Sequence, residues 1–168
     1  MSSRNRILVV IAIIVVVGGG LGLLGFLQSQ RRASTTEPEP GMIHIYVDGR
    51  FFANVSPATV SELPQYSFKD AEEGKTQAGP GLADLLRQHL SAGELQDDTE
   101  ITVVGRRSST GEDKKRTLVW ATVREQTNNV ILDISNAGDS LKLVSTIPGF
   151  DTRDTWVQSV QRIDVGER

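Results

Sequence analysis

Five bases stand close together at Arg106, Arg107, Lys114, Lys115 and Arg116, with only Glu112 and Asp113 against them. Long basic side chains on one loop adapt to phosphate or carboxylate geometry, so this cluster is a candidate partner or anionic-headgroup site. The plainer reading is a charged hairpin tip that resists edge-to-edge association. Other groupings fail on spacing. Gly74-Lys75-Thr76 ends like a phosphate-binding loop, but the first glycine of that motif falls on Lys69, and no helix is expected directly after Thr76. Asp133, Ser135 and Gly138 open like a calcium loop, yet Ala137 replaces an oxygen ligand and Val144 stands where a bidentate Glu is needed. His44 and His89 are the only histidines, and neither has a triad or metal-ligand context. The carboxylate pairs Glu72-Glu73 and Asp97-Asp98 lie in polar stretches where solvated charge is expected. No catalytic residue and no metal ligand is assigned.

Composition narrows the chemistry further. The 168 residues include no Cys, which excludes disulfides, thiolate metal sites and Cys nucleophiles together. Four of the 18 bases, Arg4, Arg6, Arg31 and Arg32, precede the first acid, Glu37. The rest of the chain therefore holds 14 bases against 21 acids, a net charge of −7. A body that acidic has no general attraction for phosphate backbones, so nucleic acid is not an expected partner.

Residues 1–6 form a short basic tail, and Ile7 to Leu27 is an uncharged apolar run of 21 residues. As a helix that run is roughly 32 Å long, enough to span the hydrocarbon core of a bilayer. Gln28, Ser29, Gln30, Arg31 and Arg32 follow it in place of a small-residue cleavage site, so the segment is read as an uncleaved anchor over a signal peptide. Arg4 and Arg6 nearly balance Arg31 and Arg32, but the very short tail favours N-inside, placing the body outside the cytoplasm. Gly18 and Gly22 have the spacing that lets two membrane helices approach. Residues 28–41, with Ser, Thr, Glu and Pro, make a polar tether.

Residues 42–168 read as one α+β, mostly β domain, a mixed sheet with about three short helices. Ile43, Ile45 and Val47 alternate with polar residues, and Asp48-Gly49 predicts a hairpin that returns through Phe51 to Val55. Ser56-Pro57 predicts a helix from Pro57 to Leu63, and Gln65 to Lys69 a strand. Asp70 to Ala78 reads as irregular and Gly79-Pro80-Gly81 as a turn. Leu82, Leu85, Leu86 and Leu90 then line one face of a helix. Further strands are expected at Ile101 to Val104, Thr117 to Trp120, Val130 to Ile134 and Leu141 to Val144. A helical turn is expected at Ala121 to Gln126, and a closing strand within Trp156 to Val165 that buries Val157, Ile163 and Val165. The turn joining the Val130 and Leu141 strands falls at Asn136 to Asp139.

The order of landmarks resembles the molybdopterin-binding domain of the sulfite oxidase family. The runs that carry the likeness are Val60-Ser61-Glu62-Leu63-Pro64, Gly79-Pro80-Gly81-Leu82-Ala83-Asp84-Leu85-Leu86, Thr102-Val103-Val104, Leu141-Lys142-Leu143-Val144 with Pro148-Gly149, and Gln161-Arg162-Ile163-Asp164-Val165. The resemblance implies that family's fold and a cleft near Asp70 to Ala78. In the family a Cys from this segment ligates molybdenum; here the segment has none. The family's Lys and Trp ahead of the closing strand are replaced by Thr155 and Ser159, with Arg153 the nearest base. No cofactor is therefore expected, and molybdopterin enters only through the resemblance. Lys69, Lys75 and Arg153 are the contacts the family's cleft would offer an anionic ligand. The expectation is a membrane-anchored extracytoplasmic binding or assembly module on a sulfite oxidase-like domain without the metal-ligating Cys. The alternative is a molybdopterin-dependent oxidoreductase with atypical metal ligation. Protease added to intact cells should remove residues 33–168 and spare the anchor; protection until the membrane is broken would reverse the orientation.

Overall fold

Asp48 and Gly49 both take left-handed backbone angles, φ 49° and 73°, the geometry a two-residue hairpin turn demands. They join β1 (Ile43–Val47) to β2 (Arg50–Val55) as the alternation predicts, with one register shift between Ile45 and Tyr46. The computed structural model describes residues 38–107, 110–134 and 140–166. The expected membrane span at 7–27, most of the tether and the Asn136 to Asp139 turn lie outside those residues. Among the described residues no helix is long and apolar enough to cross a membrane.

Ser56 caps α1 (Pro57–Ser61) by accepting the Thr59 N–H at 3.0 Å, with Pro57 opening the first turn. The helix stops two residues short of the expected Leu63. The next segment differs from expectation. β3 (Gln65–Lys69) is followed by a tight turn and then by β4 (Thr76–Pro80), paired antiparallel from Lys69 opposite Thr76 to Gln65 opposite Pro80. Thr76 to Ala78 are therefore not irregular, and Gly79-Pro80 is strand and not turn. The physical reason is twofold. Asp70 folds the chain back by accepting the N–H groups of Glu73 and Gly74, at 2.6 and 3.1 Å. Gly79 permits a close backbone approach, since a Cβ there would stand 2.0 Å from the Leu132 carbonyl oxygen.

α2 (Leu82–His89) buries Leu82, Leu85 and Leu86, and Leu90 is buried at its C-terminal end, so the leucine stripe faces the core. β5 (Glu100–Arg106) and β6 (Asp113–Val119) run further toward their turn than the apolar residues alone suggest. Their ladder extends to Arg106 opposite Asp113, and Gly111, at φ 71°, closes the turn with its N–H on the Arg107 carbonyl. Trp120 begins α3 (Trp120–Val123) and does not end a strand. A 3₁₀ turn at Gln126–Asn128 completes the expected helical stretch, and Asn129 ends it at φ 45°. β7 (Ile131–Ile134) and β8 (Leu141–Val144) pair antiparallel.

The closing strand β9 (Val160–Gly166) lies inside the sheet, parallel to β1 and antiparallel to β5, giving the order β2-β1-β9-β5-β6. The sheet is mixed and the fold is α+β, mostly β. Ile163 and Val165 are buried as expected. Val157 is buried too, but ahead of β9, bridged to Leu143. One face of the sheet, with Ile43, Ile45, Ile101, Val103, Ile163 and Val165, packs into a core shared with α2, β7, β8, Trp120 and Phe150. Gly79→Ala should destabilise the protein by about 1–3 kcal/mol, because the new methyl meets backbone that cannot rotate away. Urea unfolding measures it, and an unchanged midpoint would contradict this strand-to-strand contact.

Candidate functional site

A polar cleft of about 420 Å³ lies between the Asp70–Lys75 turn, the start of β8 and residues 153–159. Its floor is a hydrogen-bonded relay. Asp70, only 6% exposed, accepts from the Gln77 amide at 2.9 Å through the oxygen its turn leaves over. The Gln77 amide oxygen accepts from Lys142 Nζ at 2.8 Å, and the same ammonium pairs with Asp133 at 2.8 Å. Asp133 in turn accepts the Ala78 N–H at 3.1 Å, tying β7 to β4. Lys142 also stands 4.9 Å over the ring of Trp156. Trp156 is 3% exposed, and its indole N–H has no acceptor among the described residues.

Glu73 forms the rim. It pairs with Lys75 at 2.5 Å and lies 3.8 Å from Arg153, while Glu72 accepts the Arg153 backbone N–H at 3.0 Å. The hydrogen bond from Lys75, then its charge, holds the Glu73 carboxyl below the usual range. Asp70 is lowered as well, chiefly by the Glu73 N–H, with Gln77 and the Gly74 N–H adding to it against the cost of burial.

Of the cleft residues anticipated from sequence, Lys75 and Arg153 come together around one carboxylate. Lys69 does not join them: it is exposed on β3 and does not line the cleft. Sequence reasoning passed over Lys142, Gln77 and Trp156. The alternation in Leu141-Lys142-Leu143 is the signal that turns Lys142 away from the core, but nothing local names its partners. Four of the five clustered bases are strand residues, and Arg107 lies in the turn just beyond Arg106, the last residue of β5. Lys114, Lys115 and Arg116 are strand residues of β6, so successive side chains leave on opposite faces. Lys114 and Arg116 take the core-facing side, where Lys114 donates to the Asp154 carbonyl and the Arg116 guanidinium lies 4.6 Å from the Phe150 ring centroid. Lys115 and Arg106 leave on the other face. The histidines stand apart from the cleft. His44 Nε2 is 2.9 Å from the Glu39 carbonyl, and His89 is half-buried, its pKa lowered by that burial. Among the described residues no group of three His, Asp or Glu side chains could hold a metal ion.

Molybdopterin can be tested against the lining itself. Lys75, Lys142 and Arg153 face Asp70, Glu72, Glu73 and Asp133, so the cleft carries a formal charge of −1 and each of its bases already has a carboxylate partner. A phosphate-bearing pterin with a thiolate-ligated metal does not fit these residues. No protein-family model matches the chain, and no curated protein matches it in sequence. The likeness to the sulfite oxidase domain rests on its short motifs alone.

The lowered carboxyl groups set a pH dependence. A carboxylate whose folded pKa is depressed stabilises the fold fully above its unfolded value, about 4, and loses that contribution as pH falls through the folded value. Asp70→Asn should therefore be less stable than wild type at pH 7, with the two converging below about pH 4. Urea midpoints measured across that range test it; parallel profiles would remove Asp70 as the turn's electrostatic anchor.

Proposed function

We propose that the chain is a single-pass membrane protein whose body, outside the cytoplasm, serves as a binding or assembly module on a sulfite oxidase-like domain. The observation that carries this reading is the state of the cleft's ionisable groups. Asp70 and Glu73 are held in their charged forms, and Lys75, Lys142 and Arg153 are each paired. Such a surface presents fixed charges and hydrogen-bonding groups for recognition. The apolar run from Ile7 to Leu27 supports the anchor, and the short basic tail before it supports the orientation. The Cys-free sequence supports a body that works without thiolate-ligated metal. Full-length protein purified from its native membrane should carry neither molybdenum nor pterin. Either one at stoichiometric level, by elemental analysis or by fluorescence of the released pterin, would replace this reading with an oxidoreductase.

A further inference from the structure

Lysine and arginine side chains of the body fall into two sets. Lys75, Arg87, Arg124, Lys142, Arg153 and Arg162 stand 2.5–3.8 Å from carboxylates. Arg50, Lys69, Arg106, Arg107, Lys114, Lys115 and Arg116 join no ion pair among the described residues; of these only Lys114 and Arg116 are half-buried, and Arg107 lies beside them just beyond the end of β5. Solitary cations on an acidic protein are ordinary, but Lys114 and Arg116 are neither solitary nor fully solvated. Pairing of β5 with β6 sets Ile101 opposite Leu118, Val103 opposite Arg116 and Gly105 opposite Lys114. The side that buries Leu118 thus continues outward as two cations in succession, both half-buried.

The segment crossing this side holds them in place. A Cβ at Gly105 would stand 2.2 Å from the Gln158 carbonyl oxygen, so residues 157–159 lie directly against the hairpin. Arg116 stacks on the fully buried Phe150, and its Nε is closed off from water without an acceptor. Lys114 is anchored by one neutral carbonyl, that of Asp154. Burial first, then the charge of Arg107, push the Lys114 ammonium below its usual pKa; Asp154 opposes this and Arg116 adds to it. At Lys114 the charges of Arg107 and Arg116 are opposed by one carboxylate, that of Asp154, and neither Lys114 nor Arg116 has an ion-pair partner among the described residues.

We propose that Lys114 and Arg116, with Arg107 beside them, form an oxyanion site that takes a phosphate group, and that Arg106 and Lys115 on the opposite face do not contact it. Residues two apart on a strand are about 7 Å apart, which lets an ammonium and a guanidinium approach one phosphate from two sides. The guanidinium, fixed by its aromatic stack, offers terminal nitrogens in a planar fork that suits two phosphate oxygens. The proposal rests on the body being a binding module and names the chemistry of its ligand.

The test uses full-length protein in phosphatidylcholine nanodiscs, following the Arg116 Nε–H NMR signal. Inorganic phosphate is titrated in, and separate discs include phosphatidylglycerol. A saturable shift with phosphate assigns a soluble ligand, whereas a shift only in the anionic discs assigns a lipid headgroup; either supports the site. Lys114→Gln should weaken the response about tenfold, while Arg106→Gln with Lys115→Gln should change it less than about twofold. Arg116→Lys, followed through the backbone amide signals of β6, should also weaken binding because it keeps the charge but loses the fork. Thermal midpoints establish that each variant is folded. No shift with either anion, or equal losses from the two faces, would overturn the inference. The binding-module reading would survive that outcome, since it falls instead to stoichiometric molybdenum or pterin.

Discussion

The whole body depends on a strand contributed by its last residues. Without β9 the β1–β2 and β5–β6 hairpins have no common sheet, for β9 alone pairs with β1 on one side and β5 on the other. Each hairpin closes locally through a turn the chain specifies nearby. The join between them requires residues 43–47 to meet residues 160–166, the costliest contact in loop-closure entropy that the body makes. Contacts of such sequence separation form late and slow folding. Once made, they bury Ile163 and Val165 between the hairpins and turn two marginal ribbons into one apolar face.

Insertion of β9 also dictates what lies beside it. The chain must cross the β5–β6 hairpin to enter the sheet, and Gly105 clears the way by having no side chain where the Gln158 carbonyl passes. Ser159 takes a left-handed φ of 46° at the entry to the strand, a conformation that costs a residue with a Cβ and is held by the pairing on either side. The same crossing segment carries Phe150, Arg153, Asp154 and Trp156. One stretch of chain thus forms a wall of the cleft and the platform beneath Arg116.

Charge is handled differently in the two places. In the cleft, Lys142 is neutralised by Asp133, oriented by Gln77 and stacked on Trp156, so its burial is compensated several times over. On the hairpin, stacking on Phe150 and a neutral carbonyl take the place of a carboxylate. Stacking compensates a guanidinium for lost water only partly, whereas a paired carboxylate does so nearly in full. The contrast separates a polar network that holds the structure together from half-buried cations held without an ion pair.

Local rules determined much of this protein. The Asp48-Gly49 hairpin, the Ser56-Pro57 helix start, the leucine stripe of α2 and the burial of Ile163 and Val165 all follow from turn chemistry, capping and periodicity, because each involves residues within a turn or two of one another. The missing Cys settled the exclusion of thiolate chemistry outright. Thr76 to Pro80 misled because its Gly-Pro-Gly run carries the marks of a turn, and only the approach of Leu132 from a distant strand makes Gly79 a strand residue. The basic cluster misled for a related reason. Its charges suggest a solvated loop, but pairing with β5 makes Lys114 to Arg116 a strand and sends alternate side chains to opposite faces. The cleft was half legible: resemblance brought Lys75 and Arg153 together, while Lys142, Gln77 and Trp156 became neighbours through tertiary packing alone. Composition and spacing specify which groups a chain owns and the local shapes it prefers. Which of them share a cavity depends on strand order, and strand order is decided by contacts between residues far apart in the chain.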